Sequence, residues 1–441
     1  MKRWLRDASF RGLLRNTGYL AISRIAAGPL SLGALAFTTH SLGTSLFGML
    51  ILIHSYASAA SGIAKFQSWQ VIIRYGAPAM RSDDRALLRH GISFAMGLDF
   101  VSGIAGMAAA MAVLPFIAPW LHIGPDLLPI AIFYCTLLPT MASATPVGVL
   151  RLLDRFDIMS WQGLVTPGIR VVLAGAAWLL AWPFEAYLLI WYASDLAGDL
   201  VLWALALREL HRRDLLRGLR PALRGPARKL SGAWRFALTT NLTTSLAAAW
   251  GPVANLLVGA LLSPAAAGQY RVAASVIEAA NKPADMLQKA FYPEVMRLDF
   301  SERKPWKLML RGAALSGALA LAFIVIVLLA GPSLIGILFG KGFSPAFALL
   351  MMMLFGLLMQ MLAFPLMPML YAVDRPGVPL KARIVSAVLY LLAIYPATMA
   401  LGLNGAGLAY VVAMLLMFVL MVPPLYGEYR RRTAQTPGHA S

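Results

Sequence analysis

Cysteine is almost absent. Cys135 is the single one in 441 residues, which excludes an intramolecular disulfide framework and a cysteine metal cluster. Histidine is sparse and scattered, six in all, so no His-rich ligand set is available and no metal is expected. Acidic residues number 19 against 38 Lys and Arg. Charged residues of both signs make up 13% of the chain, about half the share usual in a soluble protein. No G-x-x-x-x-G-K-[ST] phosphate loop occurs; Gly340-Lys341-Gly342 lacks the leading spacing, so ATP is not hydrolysed by that device and no cofactor is expected.

What is present is apolar. Hydrophobic residues are 59% of the chain and the mean hydropathy is +0.71, too high over this length for one anchor on a soluble domain. A membrane-spanning helix needs about 20 mostly apolar residues. Twelve stretches meet that need, at 17–39, 45–64, 91–118, 127–150, 158–182, 186–207, 236–261, 266–290, 312–338, 346–371, 381–401 and 405–426. The basic start followed by Ala34-Leu35-Ala36 has the outline of a removable signal peptide. Arg24 interrupts its apolar region and removal leaves an odd number of spans, so 17–39 reads as a retained first helix.

The basic residues are one-sided. Of the 38 Lys and Arg, 33 fall in or at the edges of the segments on one side of the membrane, and only Lys341 falls on the other. Arg24, Arg170, Arg271 and Lys282 lie within the stretches. Basic loops are retained on the cytoplasmic face, so the pattern predicts an all-α polytopic inner-membrane protein with N- and C-termini cytoplasmic. The net charge of +19 reads as topology and contact with anionic membrane lipids, not nucleic acid. The outward turns, such as His40 to Thr44 and Pro183 to Glu185, are too short for an external domain.

The chain divides once, at the basic segment 208–235, which is expected to be an interfacial linker, helical until Pro221 and Pro226 interrupt it. Residues 1–207 and 236–441 each hold six stretches. Leu42-Gly43-Thr44 to Gly48 and Leu262-Ser263-Pro264 to Gly268 echo each other at equivalent outward turns. The expectation is twelve transmembrane helices as two six-helix bundles with pseudo-two-fold symmetry, and a substrate path between the halves.

An ionisable residue inside a span costs at least about 2.5–3.5 kcal/mol, so it faces a cavity, a partner or the interface. Arg271, Glu278, Lys282, Asp285 and Lys289 share one face of the eighth stretch by their spacing. They either neutralise one another, Glu278 with Lys282 and Asp285 with Lys289, or line a cavity. Arg271 has no acid one turn away and is expected to be free for a ligand. Arg24, about 10 Å into the first stretch, either pairs with Asp99 of the third or faces the cavity. Arg170 and Asp195 are expected to pair between the fifth and sixth stretches, while Asp199, one turn on, is a candidate for cation coupling. Arg24 and Lys282 in the inner half of a cavity and Arg271 in the outer half offer an anionic substrate two resting points, and the planar guanidinium fork suits phosphate oxygens. Pro29, Pro167, Pro252, Pro283, Pro365, Pro368 and Pro396 are candidate kinks.

Several segments resemble the polysaccharide-flippase branch of the multidrug/oligosaccharidyl-lipid/polysaccharide exporter superfamily. LGTSLFGML at 42–50 and LLSPAAAGQYRVA at 261–273 are similar to that family's outward turns. FQSWQVIIRYG at 66–76, LRLLDRFDIMSWQ at 150–162, NKPADMLQKAFYPEVMRL at 281–298, LFGKGFSPA at 338–346 and GLNGAGLAYVVA at 402–413 extend the likeness over nearly the whole chain. The resemblance implies a non-enzymatic flippase carrying a polyprenyl-pyrophosphate-linked oligosaccharide to the periplasmic leaflet by alternating access. Other polysaccharide assembly proteins are the implied partners. It also implies basic head-group ligands on the first and eighth helices, where Arg24 and Arg271 stand. Two other classes stay open: a cation-coupled drug antiporter, and a membrane-embedded polysaccharide polymerase or ligase. The loop from Arg74 to Arg89 lacks the G-x-x-x-D-R-x-G-R-R pattern of major-facilitator antiporters, and no large outward loop exists to carry a polymerase's catalytic groups.

Overall fold

The structure, a computed structural model, describes the backbone of residues 8–296, 298, 300 and 302–434; within these ranges the side chains of 8–22, 24, 240, 242–250, 285, 286, 289, 290, 293, 433 and 434 lie outside the description. Every described element is a helix, and the chain forms two compact units, Met1–Ala260 and Leu261–Ser441.

The first unit opens with α1 (Ala8–Ala64), which Gly43 breaks into two arms by taking φ 66° and ψ −173°, a conformation glycine adopts without a Cβ clash. Then come α2 (Ser68–Arg81), α3 (Arg85–Ile117), α4 (Leu128–Tyr134), a 3-10 turn at Cys135–Leu137, α5 (Leu138–Met141) and α6 (Thr145–Leu152). α7 (Phe156–Gln162), α8 (Val165–Leu179), α9 (Phe184–Arg212), α10 (Arg224–Lys229) and α11 (Ala233–Leu261) follow, the last residue of α11 falling in the second unit. The rest of that unit is α12 (Pro264–Val295), α13 (Lys304–Phe339), α14 (Pro345–Ala363), α15 (Leu366–Ala372), α16 (Gly377–Leu401) and α17 (Leu403–Ala434).

Among the described residues, eight segments are long and apolar enough to cross a membrane. The two arms of α1 from Ile25 onward and α2 make one such segment; α8 is only 15 residues long; α12 carries the charged stripe; and in α11, where the side chains of 240 and 242–250 lie outside the description, Gly251–Leu261 is a shorter apolar helix. Helices that meet lipid show large apolar side chains outward, as α13 does with Leu315, Ile326, Leu329 and Ile337. Trp120, Trp178 and Trp182 stand exposed beside the predicted outward turns, where an indole lies at the water boundary.

Three expectations about the connecting segments need correction. Residues 68–81, read as part of an inward loop, form α2, which buries Val71, Ile72 and Ala79 against α3 and α6. The basic segment after α9 was expected to be helical up to its prolines, and only Arg224–Lys229 of it is. It docks on α3: the Ala222 amide donates to the Ser93 carbonyl at 3.1 Å, and a Cβ on Gly97 meets the Ala222 backbone at 2.8 Å, so the close approach needs glycine there. The Tyr75 hydroxyl donates to the Ser231 carbonyl at 2.7 Å and the Arg89 guanidinium to the Asp214 carbonyl at 3.1 Å. α9 ends at Arg212, before either proline, and Pro226 lies inside α10, where the first turn has no need of its N–H.

Each unit carries the same corner. Leu150-Arg151-Leu152-Leu153-Asp154-Arg155 and Leu370-Tyr371-Ala372-Val373-Asp374-Arg375 both turn through a left-handed aspartate, Asp154 at φ 58° and Asp374 at φ 61°. In both, the Arg amide donates to the Leu carbonyl at 2.8 Å. The Arg155 guanidinium then reaches Glu209 of α9 at 2.6 Å, and that of Arg375 reaches Glu428 of α17 at 2.7 Å. Each acid collects further arginines from its own helix, Arg212 at 3.3 Å in the first unit and Arg432 at 3.5 Å in the second. Hydrogen bonds from Arg155 also hold the Asp157 carboxyl below the usual carboxylate range. Glu209 is 3% exposed, so removing its main partner strands a buried charge. Arg155→Ala should cost about 3 kcal/mol of stability. Arg431→Ala, an exposed partner 3.9 Å from Glu428, should cost under about 0.5 kcal/mol. Thermal unfolding of the two purified variants in one detergent checks the contrast.

Candidate functional site

Two polar constellations stand out, one in each unit, and a third holds the first unit's broken helices together.

That third one is centred on Asp99 of α3. The chain breaks at 65–67, between α1 and α2, and at 142–144, between α5 and α6, and both breaks expose backbone groups that lipid cannot satisfy. Asp99 closes them. Its Oδ2 accepts from the Ala144 amide at 2.8 Å, the Thr145 amide at 2.7 Å and the Ser143 hydroxyl at 3.1 Å, while Oδ1 accepts from the Ser68 hydroxyl at 2.6 Å. The carboxylate thus caps the start of α6 from another helix, where the macrodipole favours an anion. Lys65 does the reverse and donates to the Met141 carbonyl at the end of α5 at 3.1 Å. At 2% exposure, with both oxygens occupied, Asp99 acts as a helix cap. The Arg24 side chain, its expected partner, lies outside the described residues.

The first unit's second constellation gathers residues from α1, α4, α8 and α9. The expected pair forms: Arg170 of α8 donates through Nη2 to Asp195 Oδ1 and through Nε to the Ser194 hydroxyl, the latter at 3.0 Å, and its guanidinium lies 4.3 Å over the Trp191 ring. His54, absent from the sequence expectations, is the new member. Its Nδ1 is 3.0 Å from the Tyr134 hydroxyl and 3.7 Å from Asp195 Oδ2, and its ring packs edge-on to Trp191 at 5.0 Å. Its signal is present in the chain: His54 stands alone in the middle of the second stretch, and the rule that flags the in-span arginines covers it as well. Asp199 lies one turn beyond Asp195 on α9, within electrostatic reach of Thr140 and Lys65, and its Oδ2 is buried without a hydrogen bond among the described residues.

In the second unit the stripe on α12 is arranged differently from the expectation. Arg271 is not free; its two terminal nitrogens engage both oxygens of Glu278, two turns on, at 3.0 and 3.4 Å. The interval of seven puts the groups too far apart for a one-turn pair, yet two long side chains bridge it along the helix surface. Glu278 therefore pairs with Arg271 and not with Lys282, which is half-buried. Asp285 and Lys289 lie outside the described side chains. Beside Arg271, the Tyr270 hydroxyl meets that of Tyr390 at 3.2 Å, and the Tyr410 hydroxyl donates to Gln360 at 3.4 Å. Among the described residues no group of three or more His, Cys, Asp or Glu is arranged to hold a metal ion.

Long apolar helices, charges paired inside them and breaks capped by buried side chains define a multi-pass membrane protein. The fold agrees. It is shared, at a TM-score of 0.73 and 13% identity, with the inward-facing conformation of a multidrug resistance MATE family transporter of the MOP superfamily, over 95% of this chain and 100% of that one. A MOP superfamily transporter from Pyrococcus furiosus is similar at a TM-score of 0.64 and 13% identity, over 98% of each chain. Inner membrane protein YghQ of Escherichia coli (strain K12) is 37% identical over 350 residues, 79% of this chain and 99% of that protein. Residues 13–298 match the family described as Polysaccharide biosynthesis protein, and the chain belongs to that family. It is a multi-pass protein of the bacterial inner membrane.

Asp99→Ala should lower stability by at least about 3 kcal/mol, since it leaves several buried donors unanswered. Gly336→Ala, inside α13 where an added Cβ meets nothing within 4 Å, should leave it unchanged or raise it by up to about 1 kcal/mol. Melting the two variants beside the parent protein tests the cap directly.

Proposed function

We propose that the protein is a flippase that moves a polyprenyl-pyrophosphate-linked oligosaccharide from the cytoplasmic to the periplasmic leaflet for lipopolysaccharide or exopolysaccharide synthesis. It works by alternating access, with twelve transmembrane helices in two six-helix bundles and both termini cytoplasmic, and it translocates its substrate without transforming it. The observation that carries this reading is a polysaccharide-biosynthesis sequence over residues 13–298 on an exporter fold. The recurrence of the Leu-x-x-x-Asp-Arg corner and its buried Glu in each unit supports the parallel repeat.

Arg24, Arg271 and Lys282 are the head-group ligands in this reading. The Arg271–Glu278 pair gives Arg271 a resident carboxylate that a pyrophosphate must displace. A pyrophosphate carries more negative charge and more acceptor oxygens than one carboxylate, so it competes for the guanidinium fork, and Glu278 recovers the Arg when the head group leaves. Pairing therefore makes binding reversible. Asp285 belongs to the same stripe. Other polysaccharide assembly proteins are proposed to supply and receive the glycan lipid.

The test is leaflet exposure of a polyprenyl-pyrophosphate oligosaccharide in proteoliposomes with and without the protein. Protein-dependent movement is expected, and Arg24→Ala and Arg271→Ala should each slow it; movement unchanged by both substitutions rules out the ligand assignment. No movement of several glycans with folded protein turns the reading toward a soluble-substrate antiporter. Glu278→Gln should raise pyrophosphate affinity about tenfold, equivalent to about 1.4 kcal/mol, and slow turnover. Binding and transport measured on the same preparation check that opposition.

A further inference from the structure

We infer that the segment 213–235, folded onto α2 and α3, is a binding site for the phosphodiester headgroups of anionic phospholipids at the membrane surface. The inference stands apart from the flippase reading and does not need it.

Positive charge alone makes no site, because a loop that only fixes topology needs charge and no shape. This segment has both. It carries seven Lys and Arg against one acid, Asp214. All seven are exposed, and none forms an ion pair among the described residues. The nearest other acid, Glu209, is taken by Arg155 and Arg212. α2 adds Arg74, whose exposed guanidinium is held 4.4 Å over the ring of Phe236, the residue after Arg235.

The shape comes from anchors spread along the segment. Near its start the Arg89 guanidinium donates to the Asp214 carbonyl at 3.1 Å. In the middle the Ala222 amide donates to the Ser93 carbonyl at 3.1 Å, with Gly97 allowing the approach. Near its end the Tyr75 hydroxyl donates to the Ser231 carbonyl at 2.7 Å. Leu215 is buried with Leu88 and Ile92, and Leu230 and Ala233 are buried with Val71, Phe94 and Leu98. The apolar side chains thus turn into the first unit while the basic ones stay in the open. Like charges fixed side by side repel one another, so the docked form favours a ligand of opposite charge.

Position selects the ligand. α9, long and apolar enough to cross a membrane, ends at Arg212, and α11 opens the next apolar stretch at Ala233, so the segment between them lies at the membrane surface. Trp234 packs edge-on to Phe94 at 5.3 Å and remains 42% exposed. An exposed indole among arginines suits the headgroup layer, where its ring meets the lipid boundary and the long basic side chains reach up to phosphates. An acidic soluble protein matches the charge but gives that indole no apolar contact. The guanidinium fork takes two phosphate oxygens at once, and attraction to an anionic surface grows with each Lys or Arg beside it.

The test uses the full-length protein in phosphatidylcholine nanodiscs that contain a fixed fraction of brominated phosphatidylglycerol or, in parallel, of brominated phosphatidylcholine. Bromine quenches nearby tryptophan, and the Trp234 signal is taken as the difference between each protein and the same protein carrying Trp234→Phe. In the parent, quenching by the anionic lipid should exceed that by the neutral one at least about threefold. Replacing Arg217, Arg220, Arg224 and Arg228 together by Gln should bring the ratio to about one. Replacing Lys304, Lys307 and Arg311 of α13 by Gln removes charge elsewhere and should leave the ratio as it is. Two variants keep every cation and loosen the docking: Gly97→Val pushes on the Ala222 backbone, and Tyr75→Phe removes one anchor. Each should lower the ratio at least about twofold, and Tyr75→Phe decides if Gly97→Val fails to fold by size exclusion. A parent ratio near one, a ratio that survives the four Arg replacements, or one lost equally in the α13 variant overturns the site. So does a ratio that Tyr75→Phe and a folded Gly97→Val both leave intact, since charge without shape then suffices. A ratio near one in which added polyprenyl pyrophosphate alone protects Trp234 assigns the surface to that lipid and overturns the inference as well.

Discussion

Lipid offers no hydrogen bonds, so a helix that stops inside a membrane must have its freed backbone groups answered by other parts of the protein. Much of the first unit is organised around that constraint. Breaks at 65–67 and 142–144 lie close enough for two side chains to serve them, Asp99 at helix starts and Lys65 at a helix end. The signs follow the macrodipole: an anion against exposed N–H groups, a cation against exposed carbonyls. Because these ends are satisfied, the segment Leu128–Leu152 can be irregular from Tyr134 to Thr145, with Tyr134 beside His54.

Two further sets of in-span charges follow a second rule, that a charge inside a span favours a partner. Arg170 with Asp195 and Arg271 with Glu278 are solutions of different kinds. The first is enclosed, crosses between two helices and stacks on Trp191. The second runs along a single helix, with Arg271 30% and Glu278 58% exposed. An enclosed pair braces helices, whereas an open one leaves its guanidinium available to a stronger anion. Exposure, more than the presence of a partner, separates structural arginines from those suited to ligand.

Spans are legible because twenty apolar residues in a row suit little besides a bilayer. The breaks are not. Pro29, Pro252, Pro283 and Pro396, marked as candidate kinks, lie inside continuous helices, while the breaks at 65–67 and 142–144 are fixed by Asp99, which is remote in sequence from both. Pro365, marked in the same way, does fall at the junction of α14 and α15. Of the site, the Arg170–Asp195 pair can be read from matching depths. The Arg271–Glu278 pair escapes a one-turn rule because both side chains are long, and His54 escapes a search that treats a lone histidine only as a metal ligand. The repeated Leu-x-x-x-Asp-Arg corner is in plain sight but looks like two ordinary loops until each Arg is seen to reach a buried Glu.

That corner also bears on the order in which the chain is made. Each latch joins residues of a single unit, Arg155 to Glu209 and Arg375 to Glu428, so neither waits for the other. During synthesis, segments fold from the N-terminal side as they emerge. The first latch can close once Glu209 has left the ribosome, well before Arg375 is translated. Later segments are then made while α9 is already tied to the loop that carries Arg155.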